Sequence, residues 1–219
     1  CAEDPGMSKL AYAAASDSGG FKGESPVSRA YISPTNKPPI YPRYAKGYGA
    51  NFTGGGGSRG RFSGGGGGGN YGLGGGDGGR ENLNCTTEFS GGIGGKEIHS
   101  ILVTQRVLFP GSGGGGPTYI SGGVASDGGR GGGMVIIMCD SLVGNTRSIL
   151  ADGAQPSVRA GGNAGAGGGG GGGTVAIYTQ SYSNLTIASR GGKGGDTDAA
   201  FGEGGGGGGI PPGFEGYAI

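Results

Sequence analysis

The chain has 219 residues, of which 64 are glycine, and its 16 basic and 15 acidic residues leave a net charge of about +1. So small a charge gives no attraction to nucleic acid or acidic lipid, and no apolar run reaches the 18 or so residues of a membrane span. The glycine fraction approaches that of collagen, but no Gly-x-y repeat is sustained, which excludes a triple helix. Ordering a glycine costs roughly 0.5–1 kcal/mol more than ordering an alanine. We therefore expect regular backbone hydrogen bonding, or contacts with other chains, to hold this protein together.

Residues 1–50 are rich in proline and tyrosine and are predicted to form an N-terminal arm. The stretch from Pro34 to Pro42 favours an extended polyproline conformation, suited to docking on a neighbouring subunit or on the chain's own domain. Cys1, followed by Ala2-Glu3-Asp4, resembles the start of a mature bacterial lipoprotein. Cys1 is therefore a candidate for a lipid anchor or an intermolecular link, and a proteolytic end is the alternative.

A glycine-rich segment follows over residues 51–97, and residues 98–219 then alternate glycine tracts with strand-like segments. The strand-like segments are short, apolar and β-branched, and are bounded by glycine or asparagine, as is typical of strands. We expect a mostly β chain with little helix. The glycine tracts are Gly54–Gly57, Gly64–Gly69, Gly74–Gly76, Gly113–Gly116, Gly131–Gly133, Gly167–Gly173 and Gly204–Gly209. The predicted strands are Ile98–Phe109, Met134–Val143, Ser148–Ala151, Thr174–Thr179 and Leu185–Ala188.

An internal repeat of about 40 residues is visible in these strands. A shift of 40 places Val135 on Val175 and Ile137 on Ile177, and a looser match places Leu150 on Ile187. The repeat predicts units near 98–133, 134–173 and 174–210, followed by a C-terminal tail. The pairs Gly144-Asn145 and Ser183-Asn184 are predicted turns between paired strands. Such units bury their apolar faces against one another, so we expect them to stack as a solenoid or a sandwich joined by extended or polyglycine II tracts.

Residues 118–210, with the pattern Gly-Gly-Gly-x-Val-x-Ile, a turn and Leu-Ala or Ile-Ala, resemble the glycine-rich repeats of large bacterial cell-surface proteins. The glycine tracts are similar to those of glycine-rich phage tail-fibre adhesins, where such tracts pack as polyglycine II helices. This resemblance implies surface exposure, adhesion or appendage formation. It transfers no site residues.

The residues that catalysis requires are scarce. His99 is the only histidine and lies in a strand-like segment, so no catalytic triad or zinc site is predicted and no cofactor is expected. We expect the protein not to be an enzyme. Cys85 and Cys139 are candidates for a disulfide, and a buried apolar role for Cys139 is the alternative.

Two further patterns identify candidate sites. Residues 191–198 resemble a calcium-binding nonapeptide, which makes Asp196, Asp198 and Glu203 candidate ligands, although Asp198 stands where the pattern needs an apolar residue. A solvated acidic loop is the alternative. The candidate glycosylation sites, each two residues before a threonine, are Asn51, Asn84 and Asn184.

The sequence therefore favours a structural subunit of an extracellular filament, sheath or surface layer, with other copies of itself as partners. The alternative is a receptor-binding adhesin whose loops, Tyr71–Asn84 and Asp196–Glu203, contact cell-surface glycans or an outer-membrane protein.

Overall fold

The computed structural model of the protein describes eleven stretches of the chain. Most of the predicted N-terminal arm, His99 and most of the predicted strand Ile98–Phe109 lie outside them. The described residues are 20–26, 50–58, 63–70, 75–79, 91–98, 107–117, 126–156, 160–161, 164–198, 205–208 and 217–218.

Two of the described strands, β1 and β3, fall where the sequence is apolar and β-branched, whereas β2 and β4 also include polar stretches. No described residue lies in an α-helix, so the prediction of a mostly non-helical chain with some β-structure is confirmed for this part. The β-branched residues of β1 and β3 pack well on a pleated surface. The strands are β1 (Met134–Met138), β2 (Ser141–Leu150), β3 (Thr174–Tyr178), β4 (Ser181–Ala188) and β5 (Tyr217–Ala218).

The first sheet pairs strands from successive repeats. β1 runs parallel to β3, and Val135 lies opposite Val175 and Ile137 opposite Ile177. The residues that the 40-residue shift aligns in sequence are thus also paired across the sheet. β5 pairs in parallel with the other side of β3, which gives the strand order β1-β3-β5.

The second sheet pairs β2 with β4, also in parallel. Here the looser alignment was wrong by one residue, because Leu150 lies opposite Ala188 and not opposite Ile187. The register shifts between Val143 and Arg147, where β2 has more residues than the facing part of β4. This bulge sets the register at the ends of the strands, and the sequence alignment could not place it.

The predicted turns lie inside strands and do not separate them. Asn145 and Asn184 have φ values of 47° and 51°, but they belong to β2 and β4. Asparagine tolerates this left-handed conformation, which a bulge uses as readily as a hairpin turn. The prediction of turns between paired strands was wrong because each strand pairs with the next repeat and not with its own neighbour in sequence.

The glycine tracts bond to one another through their backbones, as the 64–69 tract illustrates. Its N–H groups donate to three different neighbours in turn, and the same neighbour recurs at every third residue. This is the repeat of an extended helix with three residues per turn and no internal hydrogen bonds. The acceptors are the carbonyls of Gly79 and Gly76 for Gly64 and Gly67, of Ala166 and Gly169 for Gly65 and Gly68, and of Gly56 and Thr53 for Gly66 and Gly69.

Other segments donate hydrogen bonds back to the 64–69 tract, so six segments surround it. Gly92 and Gly95 donate to it from one side, Gly206 from a second, and Ser112 and Gly115 from a third. The 167–173 tract is enclosed in the same way, which gives two neighbouring centres of a hexagonal bundle. The six segments around the 64–69 tract are 53–56, 75–79, 91–96, 111–116, 166–169 and 205–208, and those around the 167–173 tract are 64–69, 111–116, 128–132, 151–154, 191–195 and 205–208.

Glycine is required in these tracts by space and not by backbone conformation. No glycine of 65–69 or 167–173 has a φ between +20° and +160°. A Cβ on Gly68 would instead lie closer than 3.0 Å to the carbonyl oxygen of Ser112, and one on Gly170 closer than 3.0 Å to that of Arg130. The backbones touch, so a side chain has no room.

Apolar burial in the described residues is modest beside this network. The fully buried alanines, such as Ala164 and Ala166, have small side chains, and Ile98 packs with Phe52, Val107 and Phe109 in a small cluster. The described part of the protein is therefore held mainly by backbone hydrogen bonds between glycine tracts. Two of these tracts lead directly into strands, 128–133 into β1 and 167–173 into β3.

Candidate functional site

One face of β1 presents large apolar side chains to solvent. Met134, Ile136 and Met138 alternate along the strand and so share a face, with exposed fractions of 45%, 52% and 78%. Ala176 of β3 pairs with Ile136 and lies on the same face of the sheet, but it is buried. The exposed apolar surface is therefore concentrated on β1.

The opposite face of the same sheet is covered. Ile177, in the middle of β3, is only 2% exposed, and Val135, Ile137 and Val175 are half-buried. These side chains attach the sheet to the rest of the protein and leave the other face of β1 open.

The second sheet also exposes apolar side chains. Val143 and Leu150 of β2 and Tyr182 of β4 are each about half exposed or more. Large exposed apolar areas commonly mark interaction surfaces. We name Met134, Ile136 and Met138 the strand patch. Sequence reasoning did not single out this patch, although the alternation of Met134, Ile136 and Met138 was a readable signal.

Buried hydroxyl groups link three segments of the glycine bundle. Thr53, which is fully buried, bonds through Oγ1 to Ser112 and, at 2.8 Å, to Ser25. Asn70 is also buried, and its Nδ2 donates to the carbonyls of Gly172 and Gly173, at 2.5 Å and 3.2 Å. Its Oδ1 is buried without a hydrogen-bond partner. These polar side chains set which tracts lie side by side, and sequence reasoning did not identify them.

The candidate calcium ligands are only partly described. Asp196 forms an ion pair at 2.8 Å with Lys193, and both side chains are about half exposed or more. The backbone N–H of Asp198 donates to the carbonyl of Ala160, and Glu203 lies outside the described residues. Within the described residues, no three His, Cys, Asp or Glu side chains come together in a group that could hold a metal ion.

The predicted cysteine roles depend on residues beyond the described part of the chain. Cys139 follows the end of β1, and its sulfur lies 3.9 Å from Oγ1 of Thr179. Cys1 and Cys85 lie outside the described residues, so the Cys85–Cys139 disulfide and the link at Cys1 stay predictions.

The candidate glycosylation sites differ in accessibility. Asn184 is exposed on β4, whereas Asn51 is half-buried and its Nδ2 donates to the carbonyl of Gly23 at 3.0 Å. This bond would have to break for Asn51 to carry a glycan. Asn84 lies outside the described residues.

One lysine of the bundle has a shifted pKa. Burial of the Lys22 ammonium lowers the pKa of this side chain from 10.5 to about 8. The cause is desolvation, which disfavours the charged form.

Comparisons with known proteins identify no relative. No protein-family model, no curated protein and no solved structure matches the chain. The described residues also contain no helix long and apolar enough to span a bilayer.

Proposed function

We propose that the protein is a structural subunit of an extracellular filament, sheath or surface layer that assembles from copies of itself, and that it is not an enzyme. The observation that carries the proposal is the strand patch, whose apolar side chains are exposed on β1, a strand already paired in parallel with the next repeat. We infer that a second copy of the chain covers this surface, because its strands have the same sequence and the same 40-residue spacing.

We also infer that the glycine tracts are polyglycine II helices and that the stacked repeats form a solenoid. The three-residue hydrogen-bond repeat and the six neighbours of the 64–69 tract support the helices. The parallel pairing of β1 with β3 and of β2 with β4 supports the stacking. We expect a bundle of this kind to be stiff, because it is held by fixed hydrogen bonds between backbones and not by flexible side-chain contacts. Stiffness of this kind suits a building material.

The assembly proposal is tested by removing the apolar character of the patch without touching the covered face. We expect the double variant Ile136→Lys, Met138→Lys to fold normally and to fail to polymerise, because the introduced charges resist burial between copies. The measurement is negative-stain microscopy with sedimentation of the purified protein, with unfolding curves to check the fold.

The matched control places lysines at exposed polar positions of β4, in the other sheet, Ser181→Lys and Ser183→Lys. This control should polymerise like the wild type. Polymers of unchanged length and yield from the patch variant would contradict the proposal. A wild-type protein that stays monomeric and binds cells selectively would instead favour the adhesin alternative, whose loops lie mostly outside the described residues.

A further inference from the structure

A groove runs along one side of the glycine bundle, over the 111–116 tract. It has a volume of about 780 Å³, and its two walls are residues 21–26 and 126–133. We propose that this groove binds an extended strand of another polypeptide that carries glycine at every third residue, and that it adds this strand to the bundle as a further member.

The 111–116 tract is less completely surrounded than the tracts beside it. The tract donates hydrogen bonds to segments 129–132, 66–69 and 21–24, and it accepts them from segments 55–58 and 168–171. Among the described residues it therefore has five hydrogen-bonded neighbours, where the 64–69 and 167–173 tracts have six. The groove lies between residues 21–24 and residues 129–132, which is where the sixth neighbour would lie.

Several backbone carbonyl and N–H groups beside the groove form no hydrogen bond within the described residues. Within the described residues, the carbonyl oxygens of Gly111 and Gly114 accept no hydrogen bond, and the N–H groups of Gly128 and Gly131 donate none. The carbonyls of Ser112 and Gly115 face one neighbour, and those of Gly113 and Gly116 face another. The direction of the carbonyl groups repeats every third residue in such a helix. The carbonyls of Gly111 and Gly114 therefore face the position of the missing sixth neighbour.

The 128–132 tract, which forms one wall of the groove, is also oriented by its hydrogen bonds. Gly129 and Gly132 direct their carbonyls to the 111–116 tract and their N–H groups to the 167–173 tract, while the carbonyl of Arg130 faces Ala154. A turn of about 120° per residue then directs the N–H groups of Gly128 and Gly131 into the groove. The groove thus offers acceptors on its floor and donors on its wall, each repeating every third residue, or about 9 Å.

The chain itself fills a neighbouring groove of the bundle, with residues 20–25. Residues 20–25 lie between the 54–58 and 111–116 tracts, where Gly20 and Gly23 donate to the carbonyls of Ser58 and Gly55. A Cβ on Gly20 or Gly23 would lie closer than 3.0 Å to a carbonyl oxygen of the 111–116 tract. By contrast, Phe21 is 63% exposed. A Gly-x-x-Gly pattern, with both glycines against the 111–116 tract and the residue after the first glycine outward, is therefore what this layer of the bundle accepts.

The test is a titration of the full chain with the acetylated, amidated peptide Gly-Phe-Lys-Gly-Glu-Ser, which copies residues 20–25. The control peptide has alanine in place of both glycines. We expect saturable binding of the glycine peptide, at least tenfold weaker binding of the alanine peptide, and NMR shifts of the Gly128 and Gly131 amides. The protein is held below its assembly concentration, so a failure of the proposed filament does not affect this result.

A pair of variants locates the binding. Gly116 lines the groove, and a Cβ built there lies no closer than 3.5 Å to its nearest neighbours, so Gly116→Leu should fold and obstruct the groove. Gly207, which has nothing within 4 Å of a built Cβ, is outside the groove, and Gly207→Leu should bind the peptide normally. Equal binding of both peptides, equal binding by both variants, or shifts confined to the Gly20 and Gly23 amides would overturn the proposal.

Discussion

At the residue scale, neighbouring glycines of one tract have different tolerance to a side chain. A Cβ on Gly132 would lie closer than 3.0 Å to the carbonyl oxygen of Ala151, whereas Gly133 has nothing within 4 Å of a built Cβ. Gly132 is buried and Gly133 is exposed. The same residue type is therefore essential at one position and replaceable at the next.

We expect Gly132→Ala to lower the free energy of unfolding by roughly 1–3 kcal/mol or more, because it forces two backbones apart. Gly133→Ala should be neutral or stabilising by up to about 1 kcal/mol, because alanine restricts the unfolded chain without a clash. Chemical denaturation of the two variants measures the difference. Equal losses in both would mean that glycine acts through flexibility and not through close contact.

Lys22 gives the protein a pH dependence in the alkaline range. Burial lowers the pKa of its side chain in the folded protein to about 8, while the unfolded chain keeps a pKa near 10.5. Between these values the unfolded state binds more protons, so the free energy of unfolding should rise with pH from about 8 to about 10. Below pH 8, the folded protein keeps the ammonium in a poorly solvated position.

Lys22→Met should therefore raise the Tm at pH 7 and flatten this rise. Lys193→Met, at an exposed lysine paired with Asp196, should keep the rise. Thermal unfolding at several pH values between 7 and 10 checks both variants. An unchanged slope in Lys22→Met would show that another group causes the dependence.

At the element scale, the two faces of the β1-β3 sheet have different roles. Ile177 on the covered face is 2% exposed, and Ile136 on the open face is 52% exposed. Ile177→Asp buries an unpaired charge and should cost at least about 3 kcal/mol, enough to unfold a marginally stable protein.

Ile136→Asp is the matched change on the open face. It loses only part of an apolar contact and should cost about 1 kcal/mol. Circular dichroism and denaturation of the two variants measure the contrast. Unfolding by Ile136→Asp, with Ile177→Asp tolerated, would mean that the faces are assigned the wrong way round.

The strands also show how much local sequence patterns can predict. The alternation and the 40-residue shift aligned the residues that pair between β1 and β3. The predicted strand Met134–Val143, however, runs past the end of β1 at Met138 and into β2. The asparagines of β2 and β4 were read as turns because a left-handed residue is common to hairpins and bulges. The choice between these depends on the partner strand, which comes from the next repeat and is absent from any local window.

At the scale of the whole molecule, stability depends on a network in which each tract supports its neighbours. The 64–69 and 167–173 tracts are buried and bonded on all sides, while the 128–132 tract has N–H groups that bond to no residue in the described part of the chain. Amides of the first kind can exchange only when the bundle opens as a whole.

We therefore expect the amides of Gly66 and Gly168 to exchange with solvent deuterium at the rate of global unfolding. The amides of Gly128 and Gly131 should exchange orders of magnitude faster, because they lie at the open groove. Hydrogen exchange followed by NMR measures each. Fast exchange throughout the tracts would contradict the hexagonal bundle, and with it the proposal of a stiff structural subunit.

The sequence by itself determined that the described part of the chain is mostly non-helical, and its 40-residue repeat aligned Val135 with Val175 and Ile137 with Ile177, because period-two alternation and a repeat length are local properties. It did not predict that β1 pairs with β3. It could not determine which glycine tract bonds to which, since runs of glycine are identical to one another and carry no side chain that specifies a partner. Only the tertiary structure decided that, through the buried side chains of Thr53, Ser112 and Asn70, which join particular tracts, and through the close approach of backbones. The open groove and the strand patch were decided at the same level, because each depends on what the packed neighbours leave uncovered.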